Sequence, residues 1–121
     1  VRPEQVVGEP RPGRKLVYTG DTRPHDAVAA AAEGADLLIH DATFADDTAD
    51  RAADTGHSTA GEAADIAARA DARALALTHV SSRYAGDARE LREDAESAAF
   101  DGEVFVAHDG LTRDVPFPDA D

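Results

Sequence analysis

The chain has 121 residues, enough for one domain or part of one, with 42% hydrophobic and only 5% aromatic residues and no cysteine. The absence of cysteine excludes disulfides, thiolate zinc clusters and a cysteine nucleophile, and no apolar run approaches the roughly 18 residues of a membrane-spanning helix. Asp and Glu number 25 against 12 Lys and Arg, a formal net charge of −13; acid spread among regular apolar segments reads as adaptation to molar salt, where ions screen self-repulsion, and not as a disordered tail.

In chain order, residues 1–14, with Pro3, Gly8, Pro10, Pro12 and Gly13, read as an extended entry or linker. Lys15 to Thr19 is a predicted strand. Pro24 opens a helix that continues through His25 and Glu33 until Gly34 stops it. Asp36 to His40 is a short apolar run, better as a buried strand than as a helix. Residues 43–57 are predicted to be a polar loop closing on Gly56. Ser58 or Thr59 caps the next helix, with Glu62 near its first turn as a loose capping box. Ala60, Ala63, Ala64, Ala67 and Ala68 give that helix a small-residue face for close packing. Arg73 to His79 is another strand, and Asp87 starts a last helix with Leu91 and Ala95 at helical spacing. Two final strands, Glu103 to Ala107 and Leu111 to Val115, flank a turn at Asp109-Gly110, and residues 117–121 are expected to fray. This alternation predicts an α/β arrangement with helices over a mixed sheet.

Chemistry concentrates in four segments: Tyr18-Thr19-Gly20-Asp21-Thr22-Arg23-Pro24, His40-Asp41-Ala42-Thr43-Phe44, Gly56-His57-Ser58-Thr59-Ala60, and Leu77-Thr78-His79-Val80-Ser81-Ser82-Arg83-Tyr84. Asp21 follows a strand and a glycine, where a carboxylate either bridges two cations or caps the following helix. His79 closes an apolar strand, where an imidazole serves as a zinc ligand or as a hydrogen-bonded strand end. His57 precedes a capped helix whose N-terminus can receive a phosphate oxygen; it either protonates a leaving oxygen, with Asp41 to orient it, or only closes its loop. Arg83 offers a planar fork for phosphate and Tyr84 a ring or hydroxyl. His40 is expected to tie neighbouring backbone together, His25 to be solvated and His108 to be a turn residue, with a further ligand as the rival reading for His108.

In this order the segments resemble the C-terminal half of the tRNase Z (ribonuclease Z) family, metallo-β-lactamase-fold endonucleases that mature tRNA 3′ ends. The first is similar to that family's aspartate motif, the second to its HEAT segment, the third to its HST loop and the fourth to its final histidine motif. The resemblance implies one half of an αββα sandwich, with helices packed on one face of its sheet. It implies Asp21 as a bridging ligand and His79 as a terminal ligand in a site of two zinc ions. His57 becomes the catalytic histidine, with Asp41 beside it, and Ser58, Thr59, Ser81, Ser82, Arg83 and Tyr84 shape the site for the tRNA 3′ end. It further implies precursor tRNA as substrate, a homodimer, and a cytoplasmic protein with no membrane partner.

Two departures accompany the resemblance. Asp41 stands where the family usually has glutamate, so the carboxylate sits on a side chain one methylene shorter. The family's upstream His-x-His-x-Asp-His motif is not in the chain. The chain is therefore expected to be the C-terminal part of a longer protein, with residues 15–116 as half of the domain. Two ligands do not close a zinc site, so the isolated polypeptide is expected to bind zinc weakly and to leave tRNA uncut. Another metallo-β-lactamase-fold hydrolase would keep Asp21 and His79 without needing Ser58, Thr59 or the run from Ser81 to Tyr84. An inactive remnant or interaction module is the third reading.

Overall fold

The computed structural model describes residues 13–116. Residues 1–12 of the expected linker and the expected frayed end at 117–121 lie outside the described residues. Within them the elements are β1 (Leu16–Tyr18), α1 (Asp26–Ala31), β2 (Leu37–Asp41), α2 (Ala49–Thr55), α3 (Ala60–Ala70), β3 (Ala74–Thr78), α4 (Arg89–Glu96) and β4 (Glu103–Val106). The strands form one sheet in the order β1-β2-β3-β4, and every neighbouring pair is parallel.

The helices cover one face of this sheet. Val17, Leu38, Leu75 and Val104 lie in register across the four strands, and all four belong to or pack against the apolar cluster that the helices complete. α3 is the central helix because its inward residues are small: Ala60, Gly61, Ala63, Ala64, Ala67 and Ala70 are buried, with Ile66 as the one large side chain. The opposite face carries the row Tyr18, Ile39, Ala76 and Phe105. Its outer end is open, with Leu16 54% and Tyr18 69% exposed. Among the described residues no helix is long and apolar enough to cross a membrane.

The α/β fold with helices on one face agrees with the sequence reading; four details differ. The sheet is parallel throughout the described residues and not mixed, because residues 111–116 form no strand. That segment is held by side chains instead of a ladder: Arg113 pairs with Glu103 and lies 4.3 Å from the centre of the Phe105 ring, and Arg14 donates to the Val115 carbonyl at 3.1 Å. The predicted loop 43–57 contains a 3₁₀ turn at Asp46–Thr48 and helix α2. Only Ala52 of α2 is buried, so no apolar stripe announces it, and Gly56 at φ 77° is its left-handed cap.

The helix starts also shift. α1 begins after Pro24, and His25 is its N-cap, with Nδ1 accepting the Ala27 N–H at 2.9 Å. α3 starts as the sequence reading allowed, with Thr59, one of its two candidates, as the cap. Thr59 Oγ1 accepts the Glu62 N–H at 3.1 Å and Glu62 Oε1 accepts the Thr59 N–H at 2.9 Å, a complete capping box. α4 begins at Arg89, two residues beyond Asp87.

Candidate active site

Parallel pairing puts the carboxyl ends of all strands along one rim, the place where open α/β sheets bind ligands. Asp21 follows β1, Asp41 ends β2 and His79 follows β3. The loop between α2 and α3 brings His57 to the same rim, held by a parallel bridge between Phe44 and Thr59. One ligand atom from each of Asp21, Asp41, His57 and His79 falls within 4.8 Å of the others, a group that could hold a metal ion.

Asp41 is fully buried and is the hub. Its Oδ1 accepts the Thr43 N–H at 3.0 Å and the Thr43 hydroxyl at 2.6 Å. Its Oδ2 accepts the Thr22 N–H at 2.9 Å and faces His57 Nδ1 at 2.8 Å. Burial by itself would raise the carboxyl pKa. The hydrogen bonds from Thr43, His57 and Thr22 outweigh it and hold Asp41 below the ordinary 3.8. An ionised Asp41 only accepts, so His57 Nδ1 carries a proton and donates it. The shorter side chain thus spans the gap to His57, the reach that replacing glutamate had left open.

Asp21 and His79 form the outer pair. His79 Nε2 lies 2.9 Å from Asp21 Oδ1, and both side chains are about half exposed. The His79 ring stacks on His57 with centroids 5.0 Å apart and planes at 22°. His79 sits at φ 59°, a left-handed backbone uncommon outside glycine. Such conformations persist where surrounding structure over-determines them.

Arg23 locks the two loops of the rim together, a role the sequence reading did not assign. Its Nη1 donates to the His57 carbonyl at 2.6 Å and to Glu62 Oε1 at 3.0 Å, and its Nη2 donates to Glu62 Oε2 at 3.0 Å. Ser58 is buried, and its Oγ donates to the Thr22 carbonyl at 2.6 Å, a second tie between the same loops. Thr43 was also missed as a site residue. Its only sequence signal is its place two residues after a strand-end carboxylate, the spacing of a local side-chain-to-backbone bond.

The expected substrate-binding residues divide. Ser81 is half-buried, and Ser82 and Arg83 are exposed beyond His79 on the rim. Ser58, Thr59 and Tyr84 are buried in the scaffold. Tyr84 accepts nothing from the rim; its hydroxyl receives the Ala45 N–H at 2.9 Å, so its ring is no open stacking face. The α3 N-terminus is likewise closed to phosphate. Its N–H groups at Ala60, Gly61 and Glu62 donate to the Phe44 carbonyl, Asp46 Oδ1 and Thr59 Oγ1. His108 is exposed and stands outside the group of four.

His40 lies at the inner end of the rim, fully buried, and donates from Nδ1 to the Asp41 carbonyl at 2.8 Å. This is the backbone tie expected of it. Its Nε2 has no hydrogen-bond partner among the described residues. Burial lowers the pKa of His40 below the ordinary 6.5. In the unfolded chain the same ring takes a proton near pH 6.5, so below that value the unfolded state binds more protons than the folded one. Stability contributed by neutral His40 is therefore complete above about pH 6.5 and declines as pH falls toward the depressed folded value. Urea midpoints measured between pH 7.5 and 5 are expected to fall with acidity, and His40→Asn to flatten that slope. Equal slopes would show that His40 titrates normally.

The family profile described as "Beta-lactamase superfamily domain" matches residues 6–80. A protein of Halobacterium salinarum named Ribonuclease Z is 75% identical over the whole of this chain and 39% of its own length. Among solved structures, the metallo-beta-lactamase fold protein YhfI from Bacillus subtilis aligns with TM-score 0.72 and 36% identity, over 79% of this chain and 38% of that one. Human tRNase Z, short form, aligns with TM-score 0.66 and 35% identity, over 86% and 34%. The chain thus spans well under half the length of the curated relative it matches.

Proposed function

Because the chain belongs to the β-lactamase superfamily domain family, we propose that it supplies the C-terminal half of a zinc-dependent endoribonuclease that removes 3′ trailers from precursor tRNA, with residues 15–116 as that half. The 75% identity to a protein named Ribonuclease Z supports the substrate class. The observation that carries the reading is the pairing of an oriented imidazole, His57 on Asp41, with a second imidazole and carboxylate, His79 and Asp21, that face each other at 2.9 Å.

The donor set fits zinc. An imidazole nitrogen and a carboxylate oxygen are ordinary zinc ligands, and here they converge to 2.9 Å. Asp21 and His79 would hold the ion. Asp41 would not, since all its acceptor positions are filled. Bound zinc would supply Lewis acidity at the phosphodiester. His57, with Nδ1 fixed by Asp41, exchanges its proton at Nε2 and delivers it to the leaving 3′ oxygen of the tRNA body. Arg83 and the hydroxyls of Ser81 and Ser82 meet the RNA at the rim, while Ser58, Thr59 and Tyr84 hold the loops from within. A cytoplasmic homodimer belongs to the same reading and is supported only by the family resemblance. The spread acid marks a protein adapted to molar salt, which fits a Halobacterium relative.

The test is cleavage of a precursor tRNA with a 3′ trailer by the full-length protein in molar KCl. Expected products are a 3′ hydroxyl on the tRNA body and a 5′ phosphate on the trailer, formed with zinc and lost with a chelator. The 121-residue polypeptide alone is expected to be inert. Zinc-independent products, or none from tRNA alongside rapid hydrolysis of a thioester, would replace this reading with another hydrolase of the fold.

A further inference from the structure

With 25 Asp and Glu against 12 Lys and Arg, an arginine that has no carboxylate partner stands out. Among the described residues every arginine but two gives its guanidinium to a carbonyl or a carboxylate. The two are Arg51 and Arg83, both exposed. Arg83 follows His79 in the chain. Arg51 lies on α2, whose last turn leads into the His57 loop, and the His57 N–H donates to the Ala52 carbonyl at 2.9 Å. Asp54 stands three residues after Arg51 in the same helix, a spacing at which side chains meet, yet Arg51 turns elsewhere. Its guanidinium lies over the Phe44 ring, 5.8 Å from the centroid. Phe44 in turn meets His57 edge-on, with centroids 6.4 Å apart, and His57 stacks on His79. Arg51, Phe44, His57 and His79 thus form a row from α2 to the outer pair. A guanidinium resting by its face on a ring keeps its edge N–H groups for a phosphate fork.

We propose that Arg51 is a substrate-binding residue that grips a backbone phosphate of the tRNA body just upstream of the scissile bond. The inference rests on the nuclease reading, in which His57 serves the leaving 3′ oxygen. That oxygen belongs to the last nucleotide of the body, so the strand on the His57 side of the cut is the body, and Arg51 approaches from that side. In molar salt the Debye length is about 3 Å, so attraction at a distance contributes little. Arg51 acts instead through direct, charge-assisted hydrogen bonds.

Cleavage of an acceptor-stem hairpin with a 3′ trailer by the full-length protein in molar KCl tests the assignment. Arg51→Gln is expected to lower kcat/KM by about 10-fold or more, the effect of losing a hydrogen bond to a charged group. The loss should fall on KM with kcat nearly unchanged, as for binding shared by ground and transition states. Arg51→Lys, which keeps the charge without the planar fork, should fall between native and Gln. Hairpins carrying one neutral methylphosphonate, at the first or second phosphate upstream of the cut, identify the contact. A matched 2′-deoxy phosphate hairpin controls for the sugar that this linkage requires. At one of the two positions the native protein is expected to lose the same factor, and there Arg51→Gln and native should cut alike. A residue that only shields Phe44 would instead cost the same factor on every hairpin, which overturns the proposal. So does native kcat/KM in Arg51→Gln, or convergence only at a trailer phosphate. A native protein that leaves every hairpin uncut sinks the nuclease reading and this assignment with it, whereas native cutting without an Arg51 effect sinks this assignment alone.

Discussion

His57→Ala in the full-length protein is expected to lower single-turnover cleavage of precursor tRNA by about 10²–10⁴-fold, the range typical of removing a general acid. Zinc content should be unchanged, because Asp21 and His79 are untouched. Asp41→Asn is expected to approach the same loss for a different reason. Asp41 takes four donors, and an amide can accept at only one end. Whichever way it turns, its NH₂ group confronts either the Thr43 N–H and hydroxyl or the Thr22 N–H and His57. The imidazolium also loses its counter-charge. A buried donor left unpaired costs about 1–3 kcal/mol, so Asp41→Asn should lose stability together with rate, whereas His57→Ala should lose mainly rate. Rates within threefold of native for His57→Ala would remove that residue from the chemistry.

Leu77→Ala is expected to destabilise the fold by about 3–5 kcal/mol, in the upper part of the range for such truncations. The core explains the size of the effect. Among its fully buried large apolar side chains are Leu38, Ile66, Leu75, Leu77 and Leu91, and most of the rest is alanine. Alanine has no rotamers with which to lean into a void, so the cavity stays open and the lost contacts are not recovered. Leu77 also pairs in register with His40 and Val106, which places the defect directly behind the rim. Denaturant titration in molar KCl measures the loss. A value near that of Ile→Val, about 1 kcal/mol, would mean that the helices close over the gap.

The features that periodicity or capping chemistry encode were readable before any coordinates. The apolar runs around Leu38 and Leu75 are buried strands, and the alanine face of α3 packs as its spacing predicts. What sequence reading missed depends on contacts between distant residues. α2 has almost no buried face, so only its glycine terminator hinted at it. Leu111 to Val115 has strand-like alternation, yet Arg113 and Arg14 dock that segment through side chains and no ladder forms. Tyr84 and Ser58 look like site residues because they neighbour site residues in sequence. Both turn inward, Tyr84 to the Ala45 amide and Ser58 to the Thr22 carbonyl. Arg23 and Thr43 were invisible as organisers because their partners lie 34 to 39 residues away in the chain, at His57, His79 and Glu62.

The bend of the main chain at position 79 restricts how this centre could be redesigned. A φ of 59° suits Asn, Asp and His among side-chain-bearing residues, and it penalises branched or bulky ones. An engineer seeking to favour manganese or magnesium over softer cations could install aspartate there and keep the turn, gaining an oxygen donor on an unaltered scaffold. Valine or isoleucine at the same place would have to unwind the turn first, so the local geometry already sorts acceptable donors from unacceptable ones.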